Sequence, residues 1–348
     1  MVDPFTERSH LRETVSPLAI VLVSITIILL TAVTVLWQEQ RLGLSYVEGE
    51  QLVRHRAVLA GQAPNPWRYR VLAEWVAAGF VDVARALEVP RPVAVGFLSF
   101  RFLQNAGIFL VAFAYYRRLG LHMRQALVGV MVLAFVFTHA LQGALNFNTY
   151  FDVLFYLMAA LCVLSERARP FLILVAVAAL SRETSGLIPL LPLAEWMAHP
   201  RAIPHDWRQR TWLALAALGI YLVIFVGLRV CLGVPPETWA ETWGWGVPQG
   251  LPLVIFNLSS WRTLMLLALT FSILPVLAIW EFGSLPRFIK GVFWLIVPVW
   301  FCIHVSTAHV NETRLFLVPI AVVFIPGALA YRLRPEYDGD GPETSTRS

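Results

Sequence analysis

From Pro17 onward, apolar residues run in blocks too long and too uniform for an amphipathic period, and polar residues collect in the short gaps between them. Blocks of roughly 18–24 residues suffice for a hydrocarbon core of about 30 Å at about 1.5 Å of helix rise per residue. They fall near 17–37, 93–116, 125–143, 148–165, 211–232, 262–280, 290–308 and 314–333. Between the fourth and fifth lies FLILVAVAAL–SRET–SGLIPLLPLAEWMA, whose first half is too short to cross alone. The pattern predicts a hairpin of two short helices with Ser181, Arg182, Glu183 and Thr184 at its bend. The expected fold is all-α, a polytopic transmembrane helical bundle of about ten spans: eight plus the short helical hairpin.

Arginine placement orients the bundle, because cytoplasmic loops carry an excess of Lys and Arg. With the N-terminus inside, Arg117, Arg118, Arg124, Arg167, Arg169, Arg201, Arg208, Arg210, Arg287, Lys290, Arg332 and Arg334 all fall on the cytoplasmic side. The opposite connections around 144–147 and 233–252 contain no Lys or Arg. The segment VLAEWVAAGFVDVARALEV (71–89) would invert this order if it crossed. Glu74, Asp82 and Arg85 lie within about 80° on its helical wheel, so it is expected to lie along the surface as an amphipathic helix. Residues 38–92 then form the largest outer segment, with amphipathic interfacial helices. Residues 1–334 make one integral-membrane domain, both termini are cytoplasmic, and 335–348 form a disordered cytoplasmic tail.

Composition agrees: 58% of residues are hydrophobic, 14% are charged and the mean hydropathy is +0.66, against about 25% charged residues in soluble domains. The net charge of +5 is scattered through short loops, which argues against nucleic acid as a partner and for the lipid bilayer. Cys162, Cys231 and Cys302 lie inside apolar runs without metal-ligand spacing, and read as small buried hydrophobes. No metal and no cofactor is expected. The first apolar run is too long for a signal-peptide core and reads as a retained anchor.

With this orientation most of the unusual polar residues face outward. The first outer segment offers Glu39, Glu48, Glu50, Arg54, Arg56, Arg68 and Arg70, and the LNFNTYFD stretch offers Asn146, Asn148 and Asp152. The hairpin bend offers Arg182 and Glu183, and HVNETR offers His309, Asn311, Glu312 and Arg314. Each has an ordinary reading too. Glu50 and Arg54 are spaced for a helix-surface pair, Asn148 for capping the fourth span, and Glu312 and Arg314 for finishing a turn. Trp239, Trp243 and Trp245 are spaced for an interfacial aromatic belt. A charge at the centre of a span costs roughly 2.5–3.5 kcal/mol, so embedded charges pair or line an aqueous cavity. Arginine forks grip phosphate, and a carboxylate accepts a proton from an attacking hydroxyl. Their common side therefore points to transfer of a group from a phosphorylated lipid to an acceptor arriving from outside.

The layout resembles the polytopic glycosyltransferases of the C superfamily, such as the protein mannosyltransferases and the lipid A aminoarabinose transferase. The stretch YVEGEQLVRHRAVLAGQAPNPWRYRVLAEW (46–75) echoes their first outer loop through Glu48, Glu50, Leu59, Gly61, Pro64 and Leu72. FLSFRFLQNAGIFLVAFAYYRRLG is similar to their second span, and AALSRETSGLIPLLPL to their pair of short spans. The likeness covers about residues 17–215. In place of the family's adjacent acidic pair followed by tyrosine stands Glu48-Gly49-Glu50. The resemblance implies a bacterial cytoplasmic (inner) membrane enzyme that moves a sugar from a polyprenyl-phosphate-linked donor to an extracytoplasmic acceptor. Glu50, Glu48 or Asp152 would activate the acceptor. Arg68, Arg70, Asn148, Arg182, Glu183, His309, Glu312 and Arg314 would hold the substrate. A transporter or flippase of an anionic or lipid-linked substrate, and a non-catalytic scaffold, are the alternative classes.

Overall fold

Ser16 opens the first helix by accepting a hydrogen bond from the Ala19 amide at 3.2 Å, and Pro17 follows at its first position, where a missing N–H costs nothing. The computed structural model describes residues 16–140, 143–197, 204–233 and 250–330. Its principal helices are α1 (Pro17–Leu42), α2 (Leu52–Leu59), α3 (Val71–Ala86), α4 (Pro92–Arg118), α5 (Met123–His139) and α6 (Phe147–Leu164). After these come α7 (Ala168–Ala178), α8 (Leu191–Met197), α9 (Pro204–Leu232), α10 (Leu251–Ser259), α11 (Trp261–Phe271), α12 (Leu274–Trp280) and α13 (Arg287–Thr307). The described residues contain no β-strand. Helices α1, α4, α6, α9 and α13 are long and apolar enough to cross a membrane. Leu29 and Leu36 of α1 and Val223 and Val230 of α9 turn outward and exposed, as lipid-facing side chains do.

Several expectations change. The block 262–280 is not one straight span. It is split between α11 and α12 at Ser272, which sits at φ 50°, and α10 and α11 meet at 74°. The block 314–333 is not one α-helix but a 3₁₀ turn (Thr313–Phe316) leading into a π-helical turn (Ile320–Phe324) and a last α-turn (Ile325–Leu329). Just beyond the π-helical turn, Pro326 has no N–H to give to either Val322 or Ala321 within it. The hydroxyls of Tyr115 and Tyr116 on α4 donate to these two carbonyls instead, each at 2.9 Å. The polar stripe expected on 71–89 is also divided. Asp82 and Arg85 are exposed, but Glu74 is buried and sits 2.6 Å from His55 Nδ1 of α2. The hairpin bend falls at Ser181-Arg182, with α7 before it and a 3₁₀ stretch (Glu183–Leu190) and α8 after it. Trp239, Trp243, Trp245 and the tail 335–348 lie outside the described residues.

Two glycines permit the closest helix contacts. At Gly96 a Cβ would come within 2.7 Å of the Val81 backbone, where α4 crosses α3, and at Gly291 it would collide with the Ala194 carbonyl, where α13 crosses α8. Gly96→Ala and Gly291→Ala are each expected to destabilise the protein by about 1–3 kcal/mol, the usual cost of overpacking. Thermal unfolding in detergent measures it. Gly219→Ala on α9, which faces open space, should leave the midpoint unchanged or raised, and equal midpoints for all three would refute the packing argument.

Candidate functional site

Helix α6 begins at Asn146, which takes the left-handed conformation (φ 45°) and puts no side-chain cap on the helix. Its amide group donates to Ala144 O at 2.9 Å instead. The positive end of an eighteen-residue helix is thus left open, a place that favours anions. Around this turn lie the buried Arg101, Asp152, Arg182 and Arg314.

Thr149 Oγ1 accepts from Arg182 Nη1 at 3.4 Å and from Arg314 Nη1 at 3.3 Å, so two guanidiniums meet over one hydroxyl. Asp152, one turn on, places Oδ2 at 2.6 Å from Thr184 Oγ1 and 3.3 Å from Arg182 Nη1. Its other oxygen, Oδ1, is buried without a partner, as are Asn148 Oδ1 and the Nε atoms of Arg182 and Arg314. Arg314 Nη2 pairs with Glu312, so both ions of the HVNETR gap are engaged at this site. Glu183 accepts from Arg70 Nε at 3.1 Å and Nη2 at 2.8 Å, and lies 3.6 Å from Arg229. Burial works against a charged Glu183, but Arg70, its own backbone amide and Arg182 outweigh it and hold the carboxyl below the usual range. Arg70 and Arg54 also stack over Trp67, with ring-centroid distances of 5.1 and 4.6 Å.

Of the residues expected to bind substrate, Arg70, Asn148, Arg182, Glu183, Glu312 and Arg314 thus lie in this neighbourhood. Arg68 does not present a free guanidinium: its Nη2 donates to Leu232 O at the end of α9, a structural role for a basic side chain at a helix C-terminus. His309 packs edge-on against Phe256 of α10 at 5.6 Å. Glu48 is half-buried and Glu50 exposed, both on the π-helical turn Val47–Gln51 at the rim. The ordinary reading of Glu50 and Arg54 as a helix-surface pair is not what the structure shows: Arg54 donates to Gln51 Oε1 at 2.6 Å. Asn148 does not cap α6, since it lies inside the helix.

Sequence reasoning passed over Thr149, whose hydroxyl carries no charge to attract notice, and gave no site role to Arg101, a charge inside the second span. Arg101 is fully buried, donates through Nη1 to Gln104 Oε1 at 2.8 Å, and lies over the Tyr150 ring at 3.7 Å and near the Phe147 ring at 5.1 Å. The helix from Arg101 to Arg118 measures about 26 Å at 1.5 Å per residue. If the basic end of α4 marks one interface, Arg101 and the first turn of α6 sit close to the other. Among the described residues no group of three or more His, Cys, Asp or Glu side chains is placed to hold a metal ion. A cavity of about 90 Å³ lined by Cys162, Glu166, Phe171 and Arg210 adjoins the far end of α6, away from these charges. Compared with protein-family models, with curated proteins and with solved structures, the chain matches none.

Proposed function

We propose that the protein is a membrane glycosyltransferase using a polyprenyl-phosphate-linked donor, with the phosphate held at the open end of α6. The observation that carries this reading is the convergence of Arg182 and Arg314 on Thr149 beside the uncapped helix. Guanidinium forks with unspent N–H groups and a helix N-terminus are both phosphate-binding devices. Asp152 is the base this reading favours over Glu48 and Glu50, because its Oδ1 is unpartnered within the arginine cluster. In the transfer step the acceptor oxygen bonds to the anomeric carbon and its proton passes to Asp152 Oδ1. The bond from that carbon to the phosphate oxygen breaks, and its electron pair leaves with the phosphate facing Arg182 and Arg314. Such charge stabilisation is worth most where water is excluded.

Binding of polyprenyl phosphate, the lipid left after transfer whatever the sugar, tests the reading without knowledge of the donor. The purified protein in nanodiscs is expected to bind it saturably and at least ~10-fold more tightly than the uncharged polyprenol, which corresponds to about 1.4 kcal/mol. Equal affinity for the two lipids would overturn it. Movement of the intact donor across a proteoliposome bilayer, without loss of its sugar, would return the transporter reading.

A further inference from the structure

Arg101 is costly where it stands. It is fully buried, no carboxylate lies within ion-pair distance among the described residues, and its Nε and Nη2 have no hydrogen-bond partner. A neutral amide oxygen and two aromatic faces do not replace the water that a full charge gives up. Arg182 is answered by Asp152 and Arg314 by Glu312; among the described residues Arg101 has no such answer.

Its position gives the missing partner an address. Arg101 lies over Tyr150, whereas Arg182 and Arg314 converge on Thr149. Adjacent residues project about 100° apart around a helix, so the three guanidiniums approach the first turn of α6 from two directions. We propose that this turn takes two phosphates, one between Arg182 and Arg314 and one against Arg101, and that the donor is a lipid diphosphate rather than a lipid monophosphate. This rests on the lipid-phosphate reading above and changes one part of it, the lipid released on transfer, which becomes polyprenyl diphosphate in place of polyprenyl phosphate. Charge supports it: Arg101, Arg182 and Arg314 are buried, and Asp152 is the fully buried carboxylate in ion-pair contact with them, while Glu183, with 30% of its side chain exposed, is taken up by Arg70 and Arg229. Glu312 reaches Arg314 from the rim with 45% of its side chain exposed, where solvent weakens its charge. The buried surplus matches the two negative charges of a diphosphate diester better than the single charge of a phosphodiester.

The test compares polyprenyl phosphate with polyprenyl diphosphate of the same chain length, binding to the full-length protein in nanodiscs. The wild type is expected to favour the diphosphate at least ~10-fold. Arg101→Gln should abolish that preference by weakening the diphosphate alone, leaving monophosphate affinity within about threefold. Arg314→Ala should weaken both lipids. Equal wild-type affinities, or an Arg101→Gln loss shared equally by both lipids, would overturn the second subsite while leaving the first intact. Failure of either lipid to bind above polyprenol would instead remove the underlying reading. If Arg101→Gln does not yield folded protein, Arg101→Lys, which keeps the charge and loses the fork, should still lower the preference; an unchanged preference there counts against the proposal.

Discussion

Asp152→Asn is expected to lower sugar transfer by at least ~100-fold, the lower end of what general-base catalysis contributes, while polyprenyl phosphate binds as well as before or better. The asparagine oxygen still accepts the hydrogen bond that Thr184 gives to Oδ2 at 2.6 Å, so the turn keeps its shape. What disappears is the proton acceptor at Oδ1 and the negative charge opposite Arg182. Freed of that charge, the arginine attracts an anionic headgroup more strongly. A purely structural aspartate would lose binding and transfer together, so the split between the two readouts decides its role. Turnover within threefold of wild type in a lipid-linked donor assay would eliminate Asp152 as base. Glu50→Gln and Glu48→Gln would then be the next variants to measure.

At Arg314, lysine should serve hardly better than alanine. The guanidinium contacts Thr149 through Nη1 and Glu312 through Nη2, and its Nε remains without a partner. Three directions are thus used or available from one rigid plane, which a lysine ammonium does not reproduce. Truncating one partner of a buried charge pair typically costs 2–5 kcal/mol, so both Arg314→Lys and Arg314→Ala are expected to weaken polyprenyl phosphate binding at least ~30-fold. A lysine variant with wild-type affinity would reduce Arg314 to a partner of Glu312 at the end of a turn.

Much of the site was legible because membrane burial makes charge conspicuous. Arg182, Glu183, Glu312 and Arg314 interrupt apolar sequence, and a charge there needs a partner or a ligand. Which partner it takes was not legible. Arg314 meets Thr149 across 165 positions of sequence, and Arg68 reaches Leu232 across 164. Helical spacing put Glu50 beside Arg54, yet Gln51, one position on, takes the guanidinium. Glu74 shows the same limit. A helical wheel groups it with Asp82 and Arg85, while the neighbouring α2 supplies His55 and draws it inward.

The sequence by itself determined that the protein is helical and rich in segments able to cross a membrane, and that its charges collect at the ends of those segments. Hydrocarbon imposes this directly: each crossing segment must satisfy its own backbone hydrogen bonds and present apolar side chains, and both demands are local. Only the tertiary structure decided that 262–280 is broken and that the carbonyls Pro326 cannot serve are met by Tyr115 and Tyr116. It also decided that Arg101, Arg182 and Arg314 share the first turn of α6. Those outcomes depend on which helix faces which, a matter of packing between distant segments that no local period encodes.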